Sequence, residues 1–338
     1  MITLEQDTLV FAFPEVHPAA VLRIECERTL RIPDDDGDYP LPPGLGRFPL
    51  RHVDDYAASI PPAWREHGGV LLPMYQAEAL WLNFEADSGD YEHPYPFAVQ
   101  VATGKVSAIT GEPWREALNQ DPQDYLVVPD QPWLDGYCVA RGIIRQFIAM
   151  PLGEGYTAEE QLTGTGEYGG LQLRVYPMKR EVFLRRFGTR RRTLREKRVF
   201  ASVACCPMPA MGLAPGGRMR QELYDDPYGL ADWDLRQPSR CFVHLANALT
   251  WQAITGEQPP TRPWTAQEYT HAGLPWFDYY AADQKALEGA ASLGGLKSLA
   301  GLSLEKGKAL PDNDPVAPKH VIGLGPHQGK RPVREGAF

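Results

Sequence analysis

Residues 130–156 hold side chains of the types that bind and cleave sugars. Three acidic and three aromatic residues fall in this stretch: Asp130, Asp135, Glu154, Trp133, Tyr137 and Tyr156. Glycoside hydrolysis uses two carboxyl groups that flank the scissile bond, and aromatic rings line many small-molecule sites. We therefore take the three acids as candidate catalytic residues and the three aromatics as candidate ligand-binding residues. The alternative is that the rings only fill the core, because the chain contains 8 Trp and 15 Tyr.

Sequence motifs of other catalytic classes are missing. The glycine-rich stretch 153–170 does not place GxGxxG between a strand and a helix, and the chain has no GxxxxGK[ST] and no GxSxG. The sequence therefore favours a binding or structural protein without strong catalytic groups, with a carbohydrate-active hydrolase near Trp133 as the alternative. Two carboxylates roughly 5–10 Å apart in an aromatic cleft would indicate hydrolysis, and separate ion pairs would indicate the other role.

Soft metal ligands are concentrated between residues 205 and 219. Cys205, Cys206, Met208 and Met211 offer sulfur atoms that suit Cu(I), but adjacent cysteines beside two prolines cannot easily face one ion. The histidines show no HxH or HExxH spacing, and the aspartates of residues 34–38 do not fit the register of an EF-hand loop. We predict no metal site and no cofactor.

The segment Lys179–Arg198 is strongly basic. Ten basic and two acidic residues give it a local charge of +8, which leaves −17 on the rest of the chain. Apolar residues are interleaved with the basic ones, which is typical of a packed element. We therefore expect the segment to contact carboxylates of its own chain or of a second copy, with a phosphate or polyanion as the alternative.

Five segments carry a resemblance to known sequences: Pro132–Gly136, Arg145–Tyr156, Gln161–Gly164, Gly170–Leu173 and Arg240–Asn247. They resemble an uncharacterised family of bacterial and fungal proteins, over about residues 28–283. The resemblance implies an intact folded member of that family. It implies no activity and no catalytic residue.

Apolar and alternating runs predict strands through most of the first 178 residues. The predicted strands are 2–13, 20–26, 97–102, 105–109, 125–128, 143–150 and 171–176. Thr103-Gly104 between two of these runs predicts a β-hairpin. The stretch 32–50, which is rich in Pro and Gly, is expected to be a long ordered loop.

The second half of the chain shows helix signals. Residues 240–255 are apolar on most faces and follow Ser239, a good N-cap, which predicts a buried helix that ends at Gly256. Capping boxes at Thr157–Glu160 and Thr265–Glu268 predict two short helices. A further short helix is expected over 284–291.

Composition limits the class of protein. The 338 residues carry a net charge of −9, and this acidic excess argues against nucleic acid as a partner. No apolar run approaches 18 residues and the N-terminus lacks a basic region, so we expect a soluble chain outside the membrane. An odd count of 5 Cys indicates reduced thiols and a cytoplasmic location.

These patterns predict a β-rich α+β fold in three parts. An antiparallel or mixed sheet is expected over 1–178, a basic segment and a mixed α/β domain over 179–283, and a short helix with an extended tail over 284–338. Ordering a residue costs roughly 1–2 kcal/mol, so the tail 290–338, which has few large apolar residues, needs a surface. We expect that surface on a neighbouring subunit of a homo-oligomer, with the chain's own body as the alternative.

Overall fold

The fold is rich in strands. A computed structural model describes residues 1–35, 37–188, 210–279 and 284–324. It contains 37% strand and 17% helix, and most of the strands belong to one large antiparallel sheet. The predicted β-rich α+β fold is therefore confirmed. None of the described helices is long and apolar enough to cross a membrane.

The described residues form nineteen strands. They are β1 Ile2–Glu5, β2 Thr8–Ala12, β3 Val21–Thr29, β4 Asp38–Tyr39, β5 Gly44–Arg47, β6 Arg51–His52, β7 Val70–Met74, β8 Ala79–Ala86, β9 Phe97–Thr103, β10 Val106–Ser107, β11 Leu126–Val128, β12 Trp133–Leu134, β13 Gly136–Ala140, β14 Ile143–Pro151, β15 Leu171–Pro177, β16 Ala210–Arg220, β17 Ser239–Asn247, β18 Trp276–Tyr279 and β19 Val321–Leu324. Strands β1–β17 join one sheet, in which β4 with β16 and β7 with β17 are parallel pairs. Strands β18 and β19 form a separate parallel pair.

The centre of the large sheet is buried. Strands β3, β8, β14 and β16 lie side by side in that order, and β9 and β15 are buried along their whole length. Strand β14 pairs with β16 and β15 pairs with β17, so strands from before and after residue 178 share this sheet. The sheet predicted within residues 1–178 therefore also contains β16 and β17, which come later in the chain.

Strands β9 and β10 form the predicted hairpin. Its turn lies at Gly104 and Lys105, one residue later than expected, and both residues have positive φ, 55° and 58°. Two-residue hairpin turns need this conformation. A Cβ built on Gly104 would lie 2.1 Å from the Oε2 of Glu159, so only glycine fits here.

Seven α-helices form in the described residues. They are α1 Pro62–His67, α2 Ala158–Thr163, α3 Arg180–Phe187, α4 Ala248–Thr255, α5 Ala266–His271, α6 Ala291–Gly294 and α7 Leu299–Glu305. Both predicted capping boxes are confirmed, at the starts of α2 and α5.

The prediction of a helix over 240–255 is wrong in its first half. Residues 239–247 form β17, and the helix begins only at Ala248, with Asn247 as the N-cap in place of Ser239. Strand β17 pairs with β15 on one side and with β7 on the other, and most of its residues are buried. A strand buried on both faces has an unbroken apolar run, which periodicity does not separate from a buried helix.

The C-terminal segment differs from the prediction in the position of its helices. The helix expected over 284–291 is absent, and α6 and α7 form further along the chain. Residues of this segment also lie on their own chain: Leu299 and Leu302 pack with Ile148 and Met150 of β14. The described part of the tail, 290–324, therefore contacts its own chain, the alternative surface that the sequence left open, and packing on a neighbouring subunit stays a prediction.

Candidate functional site

The structure separates the six candidate residues of the 130–156 stretch. Trp133 and Asp135 line one cavity, while Glu154 and Tyr156 line another. The first cavity, of about 180 Å³, is called the aromatic slot and is lined chiefly by Trp81, Trp133, Phe277, Pro42, Pro43 and Asp135. The second, of about 270 Å³, is called the tail cleft and lies between turn 75–78, loop 262–265 and residues 299–312.

The other two candidate residues line neither cavity. Tyr137 is fully buried, and its hydroxyl donates to the carbonyl of Leu213 at 2.9 Å and lies 2.7 Å from the hydroxyl of Thr103. Asp130 accepts a hydrogen bond from the hydroxyl of Tyr228 at 3.4 Å, and burial raises the pKa of its carboxyl group. Tyr137 therefore has a packing role, and Asp130 bonds to Tyr228 and is in the lining of neither cavity.

Glu78 of the tail-cleft lining belongs to a buried ion pair. The Nε and Nη2 atoms of Arg28 donate to Oε1 of Glu78 at 2.9 and 2.8 Å, and the two side chains are 9% and 1% exposed. Burial raises the pKa of Glu78, while the charge of Arg28 acts in the opposite direction. The second carboxylate oxygen of Glu78 accepts the backbone N–H of Tyr75 at 2.8 Å. This carboxylate is fully engaged in holding the turn that bounds the cleft.

The C-terminal segment forms the opposite wall of the tail cleft. Arg31 donates from Nη2 to the carbonyls of Pro311 and Asp312, and Arg262 pairs with the Asp312 carboxylate at 2.7 Å. Asp34 is buried nearby, and its carboxylate accepts the backbone N–H of Ala300 at 2.6 Å. Arg31 lies 280 and 281 positions from its two carbonyl acceptors, so these contacts hold the C-terminal segment against the N-terminal part of the chain.

The mouth of the tail cleft presents polar groups that are not engaged elsewhere. The indole of Trp264 is 50% exposed there. The side chains of Gln76, Glu154 and Lys308 line the same cavity, and in the described part of the chain none of them forms a hydrogen bond or an ion pair. The cleft thus combines one aromatic face with an amide, a carboxylate and an ammonium group that a ligand can reach.

The aromatic slot lies on one face of the large sheet. Trp133 of β12 pairs with Asn83 of β8, and Trp81 lies two residues before Asn83, so the two indoles belong to the same face. Phe277 of β18 forms the side wall, and its backbone exchanges hydrogen bonds of 2.7 and 2.9 Å with Leu41. The slot is therefore mostly aromatic and apolar.

Asp135 is the ionisable residue in the lining of the slot. It is 4% exposed, and its carboxylate accepts a hydrogen bond from Nε2 of Gln221 at 2.7 Å. Burial raises the pKa of Asp135 from 3.8 to about 7, because the charged form loses its hydration. This carboxyl group can therefore change its protonation state near neutral pH.

The described part of the basic segment makes the predicted carboxylate contact. Arg185 and Arg186 of α3 lie 3.8 and 2.7 Å from the carboxylate of Asp232. Residues 189–209 lie outside the described residues, and with them the rest of the basic segment and the Cys205–Met208 group. Among the described residues no three His, Cys, Asp or Glu side chains come together as a metal site.

Several residues of the two cavities carry no signal in the sequence. Trp81 and Phe277 lie far from Trp133 along the chain. Trp264 and Lys308 likewise lie far from Glu154. Only the strand pairing and the return of the C-terminal segment bring them together. A tryptophan that follows three prolines within residues 259–264 is the one sequence pattern that could have pointed to Trp264.

Comparison with protein-family models, with curated proteins and with solved structures finds no match to this chain. The resemblance of the five segments to a bacterial and fungal family therefore stays an expectation. What the protein does has to be argued from its two cavities.

Proposed function

We propose that this chain is a ligand-binding protein and that the tail cleft binds a small saccharide. The observation that carries the proposal is the combination at the cleft mouth of the Trp264 ring with three unengaged polar side chains. A sugar ring has an apolar face that packs on an indole and hydroxyl groups that pair with amide, carboxylate and ammonium groups. A cavity of about 270 Å³ suits a ligand of one or two sugar rings.

The carboxylates of the cleft support binding in preference to hydrolysis. Glu78 is bonded to Arg28, and Asp312 is paired with Arg262. Glu154 is the remaining acid of the lining, whereas glycoside hydrolysis uses two carboxyl groups. Asp135, the buried candidate acid, lies in the aromatic slot.

We also propose that the protein self-associates, and this part of the proposal rests on charge instead of on the C-terminal tail. Because residues 284–324 lie on their own chain, the tail no longer requires a neighbouring subunit. Support comes from the charge of +8 on Lys179–Arg198 against −17 on the rest, which favours contact between copies. The native mass at low salt tests this point, and a monomeric mass would contradict it.

Calorimetric titration of the full-length protein with a panel of mono- and disaccharides tests the binding function. We expect saturable binding of at least one sugar, and we expect Trp264→Ala to weaken it about tenfold because the stacking face is lost. Leu304→Ala is the matched control, since Leu304 is 78% exposed and is not in the lining. Sugar binding that is absent, or that Trp264→Ala leaves unchanged, would contradict the proposal.

The same panel separates binding from hydrolysis. Incubation of each bound sugar with the protein, followed by measurement of new reducing ends, is expected to show no release. Release that disappears in Glu154→Gln would show instead that the carbohydrate-active hydrolase is correct.

A further inference from the structure

Asp135 has fewer partners than other buried carboxylates of the protein. Glu78 is bonded to Arg28, and the carboxylate of Glu159 accepts three backbone N–H groups, each at 2.8 Å. The carboxylate of Asp135 accepts one hydrogen bond, from Gln221, and in the described part of the chain no basic group lies within ion-pair distance of it. A buried carboxylate without a cation is costly in its charged form.

The rings around Asp135 form an aromatic slot with open space of about 180 Å³. Trp81 and Trp133 share one face of the sheet, diagonally placed on paired strands, and Phe277 bounds the slot from β18. Tyr279 extends this wall, because its ring packs edge to face against that of Trp133, with 4.9 Å between the ring centroids. Faces of such rings carry negative partial charge and attract organic cations.

The strands beside the slot add negative charge. Glu25 and Glu27 lie on β3 directly opposite Asn83 and Trp81 of β8, so they share the face of the sheet that carries the slot. Both contact the single cation Arg47, at 2.6 and 3.6 Å. Two carboxylates with one guanidinium leave an excess of negative charge next to the rings.

We propose that the aromatic slot binds a small organic cation, such as a quaternary ammonium group, between the rings of Trp81, Trp133 and Phe277 and the carboxylate of Asp135. The rings replace the weak hydration of an alkylated ammonium, and Asp135 supplies the opposite charge. The cation in turn supplies the partner that Asp135 lacks. This proposal is independent of the tail cleft and of the saccharide.

The buried position of Asp135 gives the binding a pH dependence. Burial raises the pKa of Asp135 to about 7, and the hydrogen bond from Gln221 is the opposing effect. A bound cation stabilises the ionised form, so binding below pH 7 must release a proton, and affinity falls about tenfold for each pH unit. The other charged groups beside the slot are Glu25, Glu27, Arg47, Arg145, Arg220, Glu222 and Asp278. Arg220 and Asp278 pair with each other at 2.9 Å.

Titration with choline and with 3,3-dimethyl-1-butanol tests the proposal. The two molecules have nearly the same shape, but only choline is charged, so their difference in affinity measures the contribution of the charge. We expect the full-length protein to bind choline at least about tenfold more tightly than the neutral analogue at pH 8. We expect the preference to shrink at pH 6.

Two variants assign the effect to the slot. Asp135→Asn keeps the size of the side chain and an oxygen that Gln221 can bond to, and it is expected to abolish the preference for choline and its pH dependence. Trp133→Ala is expected to weaken choline binding about tenfold. Asp54→Asn, which changes an exposed aspartate outside the slot, is the control and should leave binding unchanged.

The outcomes are decisive in either direction. Choline that binds no better than its neutral analogue, or a preference that survives in Asp135→Asn, would overturn the proposal. Should Asp135→Asn fail to fold, the affinity of the unaltered protein between pH 6 and pH 8 decides the question, and an affinity for choline that does not rise with pH would count against it.

Discussion

Asp135 and Gln221 are joined by two hydrogen bonds across 86 positions of the chain. The backbone N–H of Asp135 donates to the side-chain oxygen of Gln221 at 3.1 Å, and the side-chain nitrogen of Gln221 donates to the Asp135 carboxylate at 2.7 Å. This exchange ties the start of β13 to the end of β16. It also holds a carboxyl group in the lining of the aromatic slot whether that group is charged or neutral.

Asp135 should make the stability of the protein depend on pH. Its pKa is raised from 3.8 to about 7 in the folded chain, so between these values the folded chain binds more protons than the unfolded chain. The free energy of unfolding should therefore fall as pH rises from about 4 to 7, by up to about 1.4 kcal/mol per pH unit from this residue. Urea denaturation at a series of pH values measures the slope.

Asp135→Asn should remove this contribution, because asparagine does not titrate. We expect the variant to become more stable relative to the unaltered protein as pH rises from about 4 to 7. The quantity that shows this is the difference between their free energies of unfolding. Leu304→Ala, which changes no titratable group, should give a curve parallel to that of the unaltered protein. Parallel curves for Asp135→Asn as well would show that Asp135 does not titrate with a raised pKa in the folded chain.

The ion pair between Arg28 and Glu78 should be important for stability. Both side chains are buried, so Glu78→Gln leaves the charge of Arg28 without a partner, at a cost of about 3–5 kcal/mol. Asp312→Asn is the matched comparison, because the Arg262–Asp312 pair is exposed and contributes about 0–1 kcal/mol. Urea unfolding at pH 7 compares the two variants, and an equal loss in both would contradict the role of burial.

Much of the sheet could be predicted from the sequence. Strands β3, β14 and β15 lie within a few residues of the predicted segments, because their apolar and alternating patterns are local signals. The error at 240–247 has the opposite cause. That segment is apolar from Cys241 to Ala246 except at His244, and only its pairing with β7 and β15, both distant in the chain, makes it a strand.

The candidate site could be predicted only in part. Trp133 and Asp135 are close in the chain and reach the same slot. Glu154 follows β14, whose nine residues span about 30 Å, and it therefore lies in the tail cleft and not in the aromatic slot. Trp81 and Phe277 reach the slot through strands β8 and β18, and no local pattern shows that these strands meet.

The contact between the C-terminal segment and its own chain can be tested at Leu299. This side chain is 1% exposed and packs with Met150 and Tyr156, so Leu299→Ala should lower the free energy of unfolding by about 2–5 kcal/mol. Leu304→Ala, on the exposed side of the same helix, should change it by at most about 0.5 kcal/mol. Because the contact lies within one chain, the difference between the urea midpoints of Leu299→Ala and the unaltered protein should not depend on protein concentration. A midpoint that rises with protein concentration, and does so less in Leu299→Ala, would show that the segment packs on a neighbouring subunit instead.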